Sequence, residues 1–384
     1  MLASFQPVRL QQARYLSRMT LEELGLKIDI KRQSLSQFEK GHRVPAADTL
    51  RKMSLELKAP IEFFLRPRGA IESSGRSVIH YRSLNRTREI IKEQQRSAAI
   101  LDLCAALTDS LEEHIEYQTP DLSKFSGWNE MVEANAGDLD QIEEIAALTR
   151  KSLGLGDGPI SDVSLLIENE AIPIVHAPLP VGMDGMSAWY AERPFIVVSS
   201  DASRARARLN IAHEFGHLVL HQEIHEESQL DADAFKLVEA QAWRFADAFL
   251  LPAKSFLSDA YNFSLDALVV LKEKWGVSVA AMIKRLATLA VIDKEQERYL
   301  YIQLRRRNWH KKEPGDEVSR EKSRLLGRAA RFLADSETLS LYQFASETRL
   351  PIDFLANALE IEPNELLPPP PKNVVQFSLK SSAP

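Results

Sequence analysis

The sequence predicts a mainly α protein with one small β-sheet, an α+β fold built in several parts. Three observations predict it. Apolar residues recur at helical spacing over most of the 384 residues. Only three short runs have β character, AIPIVHAPL, GMSAWYAE and RPFIVVSS, and all fall within 171–200. Turn-forming and Gly/Ser/Pro-rich stretches divide the chain into segments of domain size.

Composition excludes several classes. The single cysteine, Cys104, rules out an internal disulfide framework and a cysteine-rich zinc finger. There is no apolar run of eighteen residues, and the N-terminus lacks the apolar centre of a signal peptide, so the expected protein is soluble and cytoplasmic, with no membrane partner. The net charge of −6 argues against nucleic-acid binding by the chain as a whole. Its distribution argues otherwise for the start of the chain. Residues 1–70 carry 13 Lys and Arg against 7 Asp and Glu, a balance of +6 that leaves −12 for the remainder. A basic module on an acidic body is the asymmetry expected of a DNA-binding segment.

Residues 1–66 read as short helices joined by tight turns. VRLQQARYLSRM is helical. Thr20 with Glu23 three residues later makes a capping box that starts TLEELGLKI. After the turn DIK comes RQSLSQFEKG, stopped by Gly41, and then AADTLRKMSLELKA and PIEFFL. Two short helices across a turn of three or four residues form the helix-turn-helix pattern. Residues 67–138 are expected as a linker, Gly/Ser/Arg-rich over 66–80, and a long amphipathic helix over 86–118 with Ile90, Ile91, Ala98, Leu101, Ala105 and Leu111 as its apolar stripe. That stripe suits either a homodimer, which a palindromic operator favours, or packing against the rest of the chain. A third region, 139–292, holds the three β runs and several helices. Residues 293–367 are helical, and SLYQFASETRLPIDFLANAL within them has a weak helix-turn-helix pattern. The tail 368–384 opens with PPPP and is expected to be disordered.

Within the third region, IAHEFGHLVLH carries H-E-x-x-H. On a helix His213 and His217 share one face, so their rings can converge on one zinc ion, while Glu214 faces the water that the metal activates. His221 is not a third ligand. It lies eight residues after His213, roughly 12 Å along one helix, too far for bonds near 2 Å. A sharp turn that would bring in a later ligand needs Gly where this chain has Val219, and Glu223 stands where that later histidine would be. The third ligand is sought on LVEAQAWRFADAFLLP, where Ala242 and Ala246 permit close packing on the zinc helix. Glu239 is the leading candidate, with Asp233 and Asp247 as alternatives.

RARLNIAHEFGHLVLH followed by EAQAWRFADAFLLP resembles the ImmA/IrrE family of bacterial metallopeptidases. Arg208, Ala212, His213, Glu214, Gly216, His217, His221, Glu239, Ala242, Phe245, Ala246, Leu250, Leu251 and Pro252 match its pattern. Trp243 departs from it, standing where Asn or Asp is usual. The resemblance runs from about 139 to 345. It implies a zincin-like domain, a His213–His217–Glu239 zinc site and Glu214 as general base. Manganese is a second metal such N/O sites accept. Tyr190 and His225 are candidates for stabilising the oxyanion.

Residues 9–65 resemble the XRE (Cro/C1-type) helix-turn-helix domain, with Gly25 in place of the usual Ala. The register implied by that resemblance turns Arg32, Gln33, Ser34 and Gln37 toward bases and Lys31, Lys40 and Arg43 toward phosphates of a double-stranded operator. Together the two resemblances imply a zinc endopeptidase with its own DNA-binding domain. Its expected substrate is an XRE-type repressor in trans, or the chain's own 66–80 segment. The alternative is a DNA-binding regulator whose peptidase-like domain senses a ligand or peptide without turnover.

Overall fold

The computed structural model describes residues 4–79, 88–116, 118–121, 123–125, 139–179, 183–222 and 231–369. The tail from 370 and His225 lie outside these residues.

The N-terminal unit contains α1 (Pro7–Leu16), α2 (Leu21–Ile28), α3 (Arg32–Glu39), α4 (Ala47–Glu56) and a 3-10 turn at Ile61–Leu65. The capping box forms: the Thr20 hydroxyl accepts from Glu23 N and the Glu23 carboxylate accepts from Thr20 N. Asp29 ends α2 in the left-handed region at φ 56, and Ile30 N then donates back to Gly25 O. Gly25 has a reason in this turn. A Cβ there would lie 2.4 Å from Ile30 O, closer than a methyl can approach.

Residues 66–79, expected as a linker, carry structure instead: α5 (Ala70–Ser73) and the strand β1 (Arg76–Ile79). Buried charge holds the segment in place. Arg9 forms a bidentate pair with Glu72 at 2.6 and 2.7 Å, and both side chains are buried. Arg9 also donates to Arg66 O, Arg66 donates to Ala106 O and Ser110 Oγ, and Asp109 accepts from Ile71 N and Glu72 N. Gln12 bridges Glu72 to Asp102, which accepts the Tyr190 hydroxyl at 2.7 Å. Residues 66–72, anchored at Arg66, Ile71 and Glu72, are not the exposed tether that self-cleavage there requires.

The long helix α6 (Arg88–Glu112) is more deeply placed than an amphipathic stripe implies. Leu101, Ala105 and Leu111 are buried as expected, but so are Leu103, Cys104, Ala106 and Leu107 on its other faces. Ile91 is 40% exposed and Ala98 half-buried; the Ile90 side chain lies outside the description. A helix apolar all round belongs inside a protein. From Ala99 to Leu111 it is occupied by this chain's own α1, α5, sheet and C-terminal helices, which leaves no apolar stripe there for a second copy.

The sheet contains β1, β2 (Ile174–Ala177), β3 (Gly185–Tyr190) and β4 (Arg193–Ser199) in the order β1-β3-β4-β2. β3 is antiparallel to β1 and β4, and β2 is parallel to β4. All three β runs read from the sequence are strands. Alternation sends Val175, Met186, Ala188, Tyr190, Phe195 and Val197 into one core, with the N-terminal unit, α6 and the C-terminal helices. It sends Ile174, Ile196 and Val198 into a second core. That core holds α7 (Leu139–Ser152), α8 (Val163–Glu168), α9 (Arg204–Leu220), α10 (Ala232–Leu250), α11 (Ala253–Asp259), α12 (Leu265–Trp275), α13 (Val279–Thr288) and α14 (Lys294–Arg306).

The C-terminal region contains α15 (Leu325–Asp335), α16 (Leu341–Thr348), α17 (Ile352–Leu359) and a 3-10 turn at Pro363–Leu366. α16 and α17 repeat the frame of α2 and α3. A Ser340–Gln343 capping box opens an eight-residue helix, Arg349 sits in the left-handed region at φ 55, and a second eight-residue helix follows after the same three-residue gap. The surface differs. Where α3 begins with exposed Lys31 and Arg32, α17 begins with buried Pro351 and half-buried Ile352, and it packs on β2. The weak pattern in the sequence is a helix-turn-helix frame used for packing.

Removing one partner of a buried ion pair strands the other charge and costs about 3–5 kcal/mol. Glu72→Gln is expected to lose that much stability in urea unfolding followed by circular dichroism. A loss below about 1 kcal/mol would mean that the pair does not hold the N-terminal unit in place.

Candidate metal centre and nucleic-acid interface

The metal helix α9 is buried along most of its length, with Ser203 as N-cap and His221 closing its C-terminus. It is anchored near its start by Arg208, which is buried, donates to Ile160 O and pairs with Glu321. Glu321 also accepts from Val163 N and Ser164 N at the start of α8, so one carboxylate ties α9, α8 and the C-terminal region together.

α9 and α10 cross closely at Gly216. A Cβ there would stand 2.9 Å from Phe245 Cδ1 and 3.3 Å from Ala242 O, so glycine sets the helix separation. The crossing brings Glu239 to the two histidines. His217 Nε2 lies 3.1 Å from His213 Nε2 and 3.2 Å from Glu239 Oε1, and His213 Nε2 lies 3.7 Å from Glu239 Oε2. The three ligand atoms fall within 4.8 Å of one another. Zinc bonds of about 2.0–2.1 Å in tetrahedral geometry put neighbouring ligand atoms about 3.3 Å apart. The observed separations bracket that value. Two imidazoles and a carboxylate are also the donor types of a three-ligand catalytic site with a fourth position open. The residues present therefore fit a zinc ion.

The alternatives for the third ligand lie elsewhere. Asp233 is exposed in the first turn of α10 beside Lys236. Asp247 is buried among Arg285, Glu143 and Arg244, and burial pushes its pKa up to about 7. His221, excluded on spacing, turns its Nδ1 to His217 Nδ1 at 3.1 Å.

Glu214 lies against the sheet. Its Oε2 accepts the buried Ser187 hydroxyl at 2.7 Å, and a Cβ at Gly185 would stand 2.9 Å from its Oε1. The carboxylate is thus pressed on β3 while its helix neighbours face Glu239. Asp184, Gly185, Asn210, His213, Glu214, His217, Glu239 and Trp243 line one small cleft. Trp243 stacks on the His213 ring, with centroids 4.0 Å apart, so the departure from the family pattern replaces a polar contact with an aromatic wall. Tyr190 has the wrong parity for the oxyanion role: it faces the other core, and its hydroxyl is given to Asp102. Ser187, Asp184 and Gln241 were not singled out from the sequence. Strand alternation could have found Ser187, and Asn210, one turn before His213, could have been found on the helix face.

The N-terminal unit presents α3 outward. Lys31, Arg32, Gln33, Gln37, Lys40 and Arg43 are exposed, and Ser34 is half-buried. The buried Leu35 and Phe38 hold the opposite face of α3 in the core.

Residues 167–287 match the family model described as the IrrE N-terminal-like domain, a peptidase family, and residues 10–64 match a helix-turn-helix model. The chain carries an IrrE-like domain behind an XRE-type helix-turn-helix. The helix-turn-helix supports DNA binding. No curated protein matches the chain. Among solved structures, a Mycobacterium tuberculosis transcriptional regulator is similar at 18% identity and a TM-score of 0.31, over 43% of this chain and 51% of its own. The chain thus spans about half the length of that protein. Among the described residues no helix is long and apolar enough to cross a membrane.

Gly216→Val would force α9 and α10 apart. Overpacking of this kind costs about 1–3 kcal/mol. The expected outcome is a lower melting temperature together with weaker zinc binding in a chelator competition, because Glu239 moves away with α10. Unchanged zinc affinity would show that the helix spacing does not set the site.

Proposed function

We propose that the IrrE-like domain is a zinc-dependent endopeptidase and that the helix-turn-helix directs or reports its action at DNA. The observation that carries this reading is the convergence of His213, His217 and Glu239 beside a Glu214 held by Ser187. Bound by these three residues, zinc would supply Lewis acidity to a scissile carbonyl and lower the pKa of a water toward neutrality. Glu214 takes the proton of the attacking water and passes it to the leaving nitrogen. Ser187 orients Glu214 by donating to one carboxylate oxygen. Trp243 and Asn210 wall the cleft against bulk water and position an extended peptide. The family resemblance makes an XRE-type repressor, supplied in trans, the substrate class.

The second role belongs to α3. Arg32, Gln33, Ser34 and Gln37 read base edges of an operator, and Lys31, Lys40 and Arg43 take phosphates. Each lost bidentate base contact costs about 1–3 kcal/mol of discrimination, whereas each lost phosphate contact flattens the salt dependence by about one ion.

One observation favours a second reading. The DNA-binding unit and the metal cleft sit on opposite faces of one sheet, so a site that binds a peptide without cutting it could still act on DNA binding.

Wild type and Glu214→Gln, purified and incubated with XRE-type repressors encoded near the gene, separate the two. Zinc in both proteins with cutting by wild type alone is the expected result. Zinc in both with no cutting moves the assignment to the sensor, and no zinc in either removes the metal site. For the DNA face, Arg32→Ala is expected to relax base preference in a selected operator, and Lys40→Ala to weaken all sequences equally. Binding that survives both substitutions would take the operator contact away from α3.

A further inference from the structure

We propose that His221 and Gln241 are positioning residues that fix the tautomer of His217 and thereby set the strength of the metal site. The inference rests on the zinc reading above and concerns what makes His217 a ligand.

The two rings of His217 and His221 meet nitrogen to nitrogen, with Nδ1 of each 3.1 Å from the other. Such a contact is a hydrogen bond only if one nitrogen carries a proton and the other offers its lone pair. The other nitrogen of His221, Nε2, lies 3.1 Å from Gln241 Oε1. An amide oxygen only accepts, so His221 carries its proton on Nε2 and its Nδ1 is the acceptor. His217 must then carry its proton on Nδ1. Its Nε2, which faces His213 and Glu239, is left with a lone pair for the metal.

The reverse polarity fails at the metal end. It would place a proton on His217 Nε2, where a ligand needs a lone pair. With the Gln241 oxygen facing His221, the chain Gln241, His221, His217 carries one proton per link in the direction that leaves that lone pair in place. His217, His221 and Gln241 are 1%, 5% and 4% exposed, so water does not replace a missing partner. The spacing that made His221 resemble a third ligand, four residues past His217, makes it the next link instead. Partners of this kind typically change metal affinity 10- to 100-fold when removed.

Zinc dissociation constants of the full chain, by chelator competition, test the inference. His221→Asn keeps an acceptor oxygen near the place of Nδ1 and is expected to stay within a few-fold of wild type. His221→Leu and Gln241→Leu are expected to bind zinc about 10- to 100-fold more weakly. Gln241→Glu, which keeps the acceptor, is expected to match wild type. A residue that merely fills space would make Asn and Leu at 221 equivalent, and that result would overturn the proposal. Nitrogen-15 spectra of the histidines in metal-free protein give an independent readout. They are expected to show His217 protonated on Nδ1 in wild type, and an unprotonated Nδ1 would overturn the proposal whether or not zinc is bound. Failure of wild type to bind zinc would fall on the metal reading itself. Should His221→Leu fail to fold by circular dichroism, Gln241→Leu and the spectra decide.

Discussion

A four-stranded sheet covered on both faces is the constraint on which the rest of this structure depends. Side chains alternate along each strand, so one strand feeds two cores at once. β3 carries Met186, Ala188 and Tyr190 toward α6 and the DNA-binding unit, and Ser187 toward the metal helix. The hydrophobic term that folds one half therefore helps to fold the other. A one-residue slip of β3 would exchange its faces, burying Ser187 in the first core and setting Met186 or Ala188 against Glu214.

The candidate site uses small residues where large ones would fill space. Gly216 brings two helices close enough for a glutamate from one to meet two histidines from the other. Gly185 lets the Glu214 carboxylate lie flat on the strand. Neither glycine needs an unusual backbone angle; each is required because another group occupies the space of its side chain. The candidate ligands are shielded to different degrees. The His217 side chain is fully buried and the Glu239 side chain 15% exposed, so the carboxylate lies nearer the solvent.

Much of this was legible in the sequence, for definite reasons. H-E-x-x-H on a helix is a geometric statement in itself, and E-x-x-A-x-x-F-A shows a helix able to pack closely on another. The Thr20 capping box and the three β runs are local signals, and all of them formed. What local signals miss is burial by distant parts of the chain. The 66–79 segment looks like a linker because it is rich in Gly, Ser and Arg, yet its charges are paired with residues some 40–60 positions away. α6 shows a stripe because the residues on its other faces are small or mixed, and only the assembled fold covers them. Gln241 carries no sequence signal of function and Ser187 only its place on the strand face opposite Met186 and Ala188; the importance of both comes from what faces them across a helix or strand boundary.

The polar chain from Tyr190 through Asp102, Gln12 and Glu72 to Arg9 has a consequence for how such a protein can be inherited. Its links come from the sheet, α6, the first helix and α5, so no cut near residue 66 leaves two intact pieces. A recombination event that exchanged only the helix-turn-helix would strand Glu72 without Arg9 and Gln12, take Gln12 from Asp102, and uncover the apolar faces of α6. The unit that can be traded between genes includes α5, β1 and α6 as well. The exposed residues of α3 can change without disturbing this polar chain, whereas the domain that carries them cannot be swapped alone.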